Sequence, residues 1–455
     1  MKRNIDLLHE PILPALTRLA LPIMATSLVQ MAYNLTDMAW IGLVGADAVA
    51  AVGSASMYTW FSQGVSNLAK MGGQVKVAHA LGRKDEQEAA EYAQGALQIG
   101  ILFAVLFGII TVTCRKGLVG FFNMQDPEII RQAEIYLAIT CGLIIFSFLN
   151  AIFTGILTAA GDSKTPFLSN VIGLLMNIIF DPVLIFGWGP FPRLGVAGAA
   201  IATVGAQAVV TLVFLFAIRT DRIIFDKVHL LKRVSGRRLE QIVRIGFPSA
   251  VQTMIYSGIS MILTRVVTRF GDTAVAVQRV GGQIESLSWM TADGFAAAIN
   301  SFVGQNFGAG QYDRVKKGYW SAVKIMFVWG MFCTAFLIFG AEPIFRLFIH
   351  EDAVVGDGIA YLQIIGISQM FMCEELLTVG ALSGLGKTMQ ASIISVLLTS
   401  ARIPMAYALA ATPLGLSGVW WALSISSVAK GIVYVLYFMR LMPAMERERA
   451  RRMAG

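Results

Sequence analysis

Stretches of about twenty mostly apolar residues recur along the whole chain, separated by short polar connections. A stretch of this length crosses a bilayer as an α-helix, because a helix satisfies its backbone hydrogen bonds internally. Only 14% of the 455 residues are charged, against roughly 25% in soluble domains. We therefore predict an all-α membrane protein with about twelve transmembrane helices and no separate soluble domain.

The distribution of basic residues predicts the orientation of these helices. The predicted spans lie near residues 17–40, 52–77, 95–114, 133–157, 166–187, 195–218, 242–268, 277–303, 319–340, 358–382, 390–410 and 416–439. Lys and Arg concentrate in alternate connections, above all in 219–238 and in the C-terminal tail. Because cytoplasmic loops are enriched in Lys and Arg, both termini and the 219–240 connection are predicted to be cytoplasmic. This topology accounts for the net charge of +8 without nucleic acid.

The long connection nearly bisects the chain, and the two halves share landmarks. At an offset of 226 residues Pro22 corresponds to Pro248, and Gly45 to Gly271. The chain is therefore predicted to contain two related six-helix lobes, with a pseudo-two-fold axis along the membrane normal. The predicted divisions are an N-terminal lobe, a cytoplasmic connection, a C-terminal lobe and a basic cytoplasmic tail, at residues 1–220, 221–240, 241–441 and 442–455 respectively. Two such lobes suit transport by alternating access.

Acidic residues inside predicted spans distinguish the first half from the second. Asp37 lies in the first span and Asp181 in the fifth, each eight residues before a loop glycine. At offsets of 226 and 225 their counterparts are Leu263 and Ala406. A carboxylate within a span costs about 2.5–3.5 kcal/mol on insertion scales, so such residues normally line an ion or proton path. The alternative is that each acid is solvated near the interface or caps a neighbouring helix.

Other polar residues accompany these two acids. Helical spacing places Gln30, Tyr33 and Asn34 on the same stripe as Asp37, where they are candidate substrate or secondary contacts. Asn177 lies one turn before Asp181. Pro22 lies in the first span, where it either produces a hinge or marks the true start of the helix.

The second half carries buried charges of both signs, including Glu374, Glu375 and Arg402. Arg402 corresponds to Asn177 at the 225 offset. An unpaired guanidinium within a bundle is costly, so we predict that Arg402 pairs with Glu374 or Glu375. A structural ion-pair network is the preferred interpretation, and a second ion site or a cationic-substrate contact is the alternative.

Several motifs together resemble the multidrug and toxic compound extrusion (MATE) transporters. They are the Leu21–Pro22 pair, the Asn34/Asp37 stripe, GADAVAAVG at 45–53, GILTAAGDSKTP at 155–166, NIIFDPVLIFG at 177–187, GVAGAAIAT at 195–203 and VGQNFGAGQ at 303–311. The resemblance covers nearly the whole chain. It implies a two-lobed antiporter of a prokaryotic inner membrane that exports organic cations and amphipathic drugs in exchange for H⁺ or Na⁺.

The resemblance also implies which residues couple the ion. The matching positions of the N-lobe cation site are Asp37, Asn177 and Asp181, with Thr203 as a looser match; the first three would also ligate Na⁺. Members with coupling acids in the second lobe carry acids where this chain has Tyr256 and Met372. We therefore expect coupling in the first lobe, where repulsion between two carboxylates would favour binding of a cation.

Two other classes of function are alternatives to transport. A flippase for a lipid-linked precursor could use the same two-lobed shell, but its cleft should carry several cations for a pyrophosphate. An enzyme is disfavoured, because the chain has no HExxH motif and its four histidines lie in loops or outside the predicted spans. The four cysteines have no CxxC spacing, so neither a metal site nor a disulfide framework is indicated. We expect no cofactor besides the coupling ion. The expected partners are the bilayer and amphipathic or cationic small molecules, and the expected state is a monomer.

Overall fold

A computed structural model describes residues 5–122, 124, 126–219, 224–230, 232–348 and 352–454. In these ranges the regular structure is helical and no β-strand occurs. The α-helices, numbered in chain order, are α1 Ile12–Val44, α2 Ala46–Gly82, α3 Glu86–Thr113, α4 Arg115–Gly120, α5 Pro127–Gly142, α6 Ile145–Ala159, α7 Lys164–Phe186, α8 Val196–Ile218, α9 Gly236–Val267, α10 Asp272–Gly308, α11 Tyr312–Phe339, α12 Ala341–Arg346, α13 Asp352–Gly384, α14 Thr388–Ser400, α15 Arg402–Ala410 and α16 Leu416–Ala454.

The helix boundaries follow the repeat. At the 226 offset, both ends of α2 coincide with those of α10, and both ends of α3 with those of α11. One predicted span, 133–157, is built from α5 and α6, which are bent by 42° at their junction. Its counterpart in the second half is the unbroken α13. The reverse holds for α7, which is continuous, whereas its counterpart is divided into α14 and α15.

Membrane-spanning character is clear for most of these helices. Among the described residues, nine helical segments are long and apolar enough to cross a bilayer, and the bent α5–α6 pair makes ten. The two remaining long helices, α2 and α10, do not reach the same apolarity, and they are counterparts in the repeat. The prediction of an all-α membrane protein is thus confirmed, with two more polar helices among the twelve segments.

Close contacts divide the chain into two compact units. Unit 1 contains residues 1–5 and 21–250, and unit 2 contains residues 6–20 and 251–455. Of the connection predicted at 221–240, residues 221–223 and 231 lie outside the described residues. A short 3₁₀ helix forms at Phe225–Lys227, and α9 begins at Gly236. The tail predicted from residue 442 continues as part of α16.

Two clusters of apolar side chains make up most of the core of unit 1 among the described residues. One joins α2, α3, α6 and α8 with the first turns of α9, through residues such as Ile152, Phe214 and Ile242. The other joins the end of α1 and the start of α2 to α5, α7 and α8. Glycine allows α9 to approach α2 closely, because a Cβ atom at Gly246 would lie within 1.9 Å of the Leu68 carbonyl oxygen.

Unit 2 packs around α13, whose most apolar stretch is 67% buried. The N-terminal segment 6–20 belongs to this unit. Leu7 is fully buried, and its carbonyl oxygen accepts hydrogen bonds from Asn306 and Arg314. The Arg314 guanidinium also donates to the Glu10 carbonyl oxygen. The chain therefore enters α1 from a fixed starting point on unit 2.

Pro22 lies inside α1, ten residues after Ile12, so it does not mark the start of the helix. Pro248 likewise lies inside α9. Four turns repeat in the two units, and each has a positive φ angle. They are Gly45 and Gly271, Lys84 and Gly310, Gly161 and Gly386, and Gly195 and Gly415. Lys84 is the one member of this set that is not glycine.

Candidate functional site

The wall of the candidate site formed by α7 and α8 is a closely packed hairpin. Gly187 ends α7 in the left-handed conformation, and the Leu194 and Gly195 amides donate to carbonyl oxygens of α7. A Cβ atom at Gly198 would lie 2.3 Å from the Leu184 carbonyl oxygen, and one at Gly173 would lie 2.4 Å from Val210. Glycine at these two positions therefore lets the backbones meet, which fixes α7 against α8.

The buried face of α7 carries Asn177 and Asp181, both fully buried. The Asn177 amide donates to Asp181 Oδ1 at 3.1 Å, so one carboxylate oxygen is held in place within the helix. The other oxygen, Asp181 Oδ2, has no hydrogen-bond partner, and neither has Asn177 Oδ1. Pro182 follows directly and lacks an N–H, so the Ile178 carbonyl loses its helical donor.

The opposite wall is α1, which supplies Tyr33 and Asp37 one turn apart. The Tyr33 hydroxyl donates to the backbone carbonyl of Thr203 at 3.5 Å. Asp37 lies beside the Thr203 side chain and close enough to Asp181 for their charges to interact. The Asp37 Oδ1 and Thr203 Oγ1 atoms are both buried without a well-formed hydrogen bond. The structure thus brings together the four residues predicted to couple the ion.

Four buried oxygen atoms without partners therefore meet in this site, contributed by α1, α7 and α8. Two belong to carboxylates, one to an amide and one to a hydroxyl. Hard oxygen donors of this kind suit a proton or Na⁺, and an uncompensated carboxylate pair is costly until such a cation binds. No cluster of three or more His, Cys, Asp or Glu side chains suited to a metal occurs in the described part of the chain. These four oxygen atoms are therefore the candidate ligands of the predicted site.

Tyr136 is a site residue that the sequence did not indicate. It lies on α5, is 5% exposed, and is near enough to both carboxylates to interact with them electrostatically. Its side chain adjoins Ser56 on α2. A tyrosine in an apolar helix has an ordinary interfacial or core role, so only its three-dimensional position reveals this one.

The secondary contacts predicted on α1 separate into two groups. Gln30 and Tyr33 line a small pocket together with Asn170 of α7 and Gln207 of α8. Gln207 is in turn bound by Asn150, whose amide donates to the Gln207 side chain at 2.8 Å. Asn34 instead lies on the exposed face of α1.

α1 crosses the division between the two compact units, since residues 12–20 belong to unit 2 and the rest of the helix belongs to unit 1. The Pro22 carbonyl accepts a hydrogen bond from the Thr26 hydroxyl at 2.8 Å, within an uninterrupted helix. Asp37 lies on the part of α1 that belongs to unit 1, the same unit as α7 and α8.

The charges of unit 2 are arranged differently from the prediction. Arg402 does not pair with a span-10 acid: its guanidinium donates to the hydroxyls of Ser426 at 3.1 Å and Ser427 at 2.9 Å. Glu375 pairs with Lys430 at 2.7 Å, and both side chains are almost completely buried. The predicted pairing of Arg402 with Glu374 or Glu375 was wrong. The positions of the charges in the sequence did not show that α16 supplies the serines that bind Arg402 and the lysine that pairs with Glu375.

Lys430 was missed in the sequence, although a signal was present. It is a lone cation in the middle of an otherwise apolar stretch of α16, and such a residue normally has a partner in the bundle. Glu374, next to Glu375, has neither carboxylate oxygen bound. The three predicted residues of the C-lobe charge network thus have three separate environments.

Comparisons with known proteins agree with this architecture. The MatE family model matches twice, at residues 22–183 and 248–408. A relative from Thermotoga maritima, described as probable multidrug resistance protein NorM, is 28% identical over 432 residues, which cover 93% of this chain and 91% of the relative.

Solved structures give the same result. A crystal structure of MATE in the bent conformation has a TM-score of 0.91 and 26% identity, and the match covers 99% of each chain. A MOP superfamily transporter from Pyrococcus furiosus, described as having a binding pocket of reverse polarity, has a TM-score of 0.91 and 25% identity over 98% of this chain and 99% of that one. This chain therefore belongs to the MatE family of membrane transporters, and its fold is the two-lobed fold of that family.

Proposed function

We propose that this protein is a secondary active antiporter that exports organic cations and amphipathic drugs in exchange for inward H⁺ or Na⁺. The observation that carries the proposal is the group of four unpartnered oxygens of Asp37, Asn177, Asp181 and Thr203. The match to a family of transporters supports the proposal of transport. The relative described as a multidrug resistance protein supports the proposal that drugs are the substrates.

In this proposal the bound cation connects α1 to the hairpin of α7 and α8. With the site empty, the two carboxylates repel, and this repulsion opposes the contact between α1 and the hairpin. A proton or Na⁺ between Asp37 and Asp181 removes the repulsion and draws α1 towards the hairpin. α1 would then bend at Pro22, and this bend would alter the access of substrate to the protein.

We further propose that the protein lies in the inner membrane with both termini in the cytoplasm, because basic residues cluster in one set of connections. The test places single cysteines at His229 and Asp47, both exposed, in a cysteine-free background. An impermeant thiol reagent applied to whole cells should label position 47 and not 229. The reverse pattern would overturn the orientation.

The flippase alternative finds no support in the buried cations. Arg402 is bound by two serine hydroxyls and Lys430 by a carboxylate, so both are already engaged. A pyrophosphate would have to displace these contacts.

The decisive experiment is efflux of a cationic dye from proteoliposomes under an imposed pH or Na⁺ gradient, one at a time. Asp37→Asn and Asp181→Asn should each abolish gradient-driven efflux, because each removes a carboxylate from the pair. The double variant should be no worse than either single one, since the two residues act as a unit.

The matched control is Asp47→Asn, which removes an exposed acid of the same unit. It should transport at the wild-type rate. Uphill efflux at the wild-type rate in Asp37→Asn would remove Asp37 from the mechanism and refute the proposed coupling site.

A further inference from the structure

A second buried acid without a partner lies in unit 2. Glu374, on α13, is 6% exposed, and neither of its carboxylate oxygens has a hydrogen-bond partner. The adjacent Glu375 is equally buried but is neutralised by Lys430. Two neighbouring acids of one helix therefore differ completely in how their charge is accommodated.

The elements packed against Glu374 offer no cation for it. On α11 the buried ionisable groups are Tyr319 and Cys333, and on α13 itself they are Tyr361, Cys373 and Glu375. The charge of Lys430, on α16, is bound to Glu375. Among the described residues no cationic side chain hydrogen-bonds to either carboxylate oxygen of Glu374.

The acids of α10, which also packs against α13, lie elsewhere. Glu285 accepts hydrogen bonds from Tyr361 and Gln369, each at 3.3 Å. Asp293 is on the exposed face of α10. Neither acid supplies a partner to Glu374, and α10 presents the Ser288 hydroxyl near Cys373 instead.

An ionised carboxylate in this position would be left without a compensating charge or hydrogen bond, which is energetically unfavourable. Sodium would need several oxygen ligands around it. The hydroxyl one turn along the helix, that of Thr378, is occupied by the Glu374 backbone carbonyl at 2.8 Å and by the Tyr319 hydroxyl at 2.9 Å. A single proton on the carboxylate removes the charge without needing this hydroxyl as a ligand.

The fold itself does not require an acid here. At the 225 offset the counterpart of Glu374 is Leu149, which packs against the apolar core of unit 1. Unit 2 thus has a carboxyl group at a position where unit 1 has a leucine.

We propose that Glu374 is a proton-binding site of unit 2, which takes up and releases a proton independently of the Asp37 and Asp181 pair. The Tyr319 and Thr378 hydroxyls, hydrogen-bonded to each other at 2.9 Å, lie one turn along α13 from this site. The site does not depend on which ion unit 1 binds.

The test uses infrared difference spectra of the full-length protein in lipid nanodiscs, recorded between alkaline and acid pH. With ¹³C-labelled glutamate, a carboxylic acid C=O band that appears on acidification should shift with the label. The band should be lost in Glu374→Gln. It should persist in the Glu375→Gln/Lys430→Met double variant, the matched control that leaves no charge of the ion pair buried, and in the Asp37→Asn/Asp181→Asn double variant.

Two results would overturn the proposal. One is the absence of any titrating band from labelled glutamate in the wild-type protein; the other is a band that survives in Glu374→Gln. If Glu374→Gln does not purify as a monodisperse protein, Glu374→Leu, which introduces the residue of the equivalent place in unit 1, gives the same readout. Labelling aspartate instead reports the Asp37 and Asp181 pair separately, so either proposal can fail without the other.

Discussion

The two units use the same helix faces for opposite purposes. In unit 1 the buried face of α7 carries Asn177 and Asp181, and the oxygens around them lack partners. The corresponding face of α15 in unit 2 carries Arg402, which two serines of α16 bind. On α7 this face keeps polar groups unsatisfied, as expected of the proposed binding site. On α15 the corresponding polar group has hydrogen-bond partners, as expected of a structural contact.

A second pair of positions shows the same divergence in how helices are joined. At the 225 offset Asn150 of unit 1 corresponds to Glu375 of unit 2. Asn150 joins α6 to α8 through neutral hydrogen bonds with Gln207 and Thr211. Glu375 joins α13 to α16 through its ion pair with Lys430. The repeat thus preserves the location of the link but not its chemistry, and measurements of stability should distinguish the two.

The largest expected effect follows from breaking the ion pair of unit 2. Lys430→Met leaves the buried Glu375 carboxylate without compensation, so we expect a loss of about 3–5 kcal/mol of unfolding free energy. Lys430→Met combined with Glu375→Gln should recover most of this loss, because no charge is then left buried. Denaturant titration in detergent micelles measures the unfolding free energy of both variants.

Lys316→Met, at an exposed position of the same unit, is the control, and its unfolding free energy should change little. A double variant as unstable as the single one would show that the pair is not the source.

The neutral link of unit 1 should contribute less. Asn150→Ala removes two side-chain partners and leaves the Gln207 and Thr211 groups to find others, which costs about 1–3 kcal/mol. The same titration provides the measurement. If this variant lost as much stability as Lys430→Met, the proposed difference between a neutral and an ionic link would not hold.

A variant of the site itself should behave in the opposite way. Asp181→Asn keeps an oxygen that can accept the hydrogen bond from Asn177 and removes an uncompensated carboxylate. We therefore expect unchanged or slightly higher stability, by up to about 1 kcal/mol, together with the loss of driven efflux. A marked loss of stability would instead indicate that Asp181 is a structural residue like Glu375.

The smallest expected effect concerns the backbone. Lys84 has a φ angle of 62°, in the left-handed region, where its counterpart in unit 2 is Gly310. Glycine adopts this region without a Cβ penalty, so Lys84→Gly should stabilise the protein by about 0.5–1 kcal/mol. Thermal unfolding should show a small rise, and Gly310→Ala a fall. If neither Lys84→Gly nor Gly310→Ala shifted the unfolding temperature, the backbone of the turn would be relaxing in both units.

The membrane class, the repeat and the acids of unit 1 could be predicted from the sequence because each depends on spacing and apolarity alone. The contact of Thr203 with Asp37 could be anticipated from the family resemblance. Tyr136 could not, because its role depends on the packing of α5 beside α1 and α7. The partner of Arg402 was mistaken for a related reason: the serines that bind it lie on α16, distant in sequence and without charge.

The assignment of residues 6–20 to unit 2 has a consequence for how the protein is made. Leu7 and Arg314 bind each other across 307 positions of the chain. During synthesis residues 6–20 therefore leave the ribosome long before Arg314, and they cannot reach their final contacts until that part of the chain has been made. In the same way, unit 1 remains incomplete until α9 has been translated as far as Ala250. A gene divided between residues 220 and 221 would thus yield two fragments, each lacking a piece of its own core, and only their joint expression would restore both.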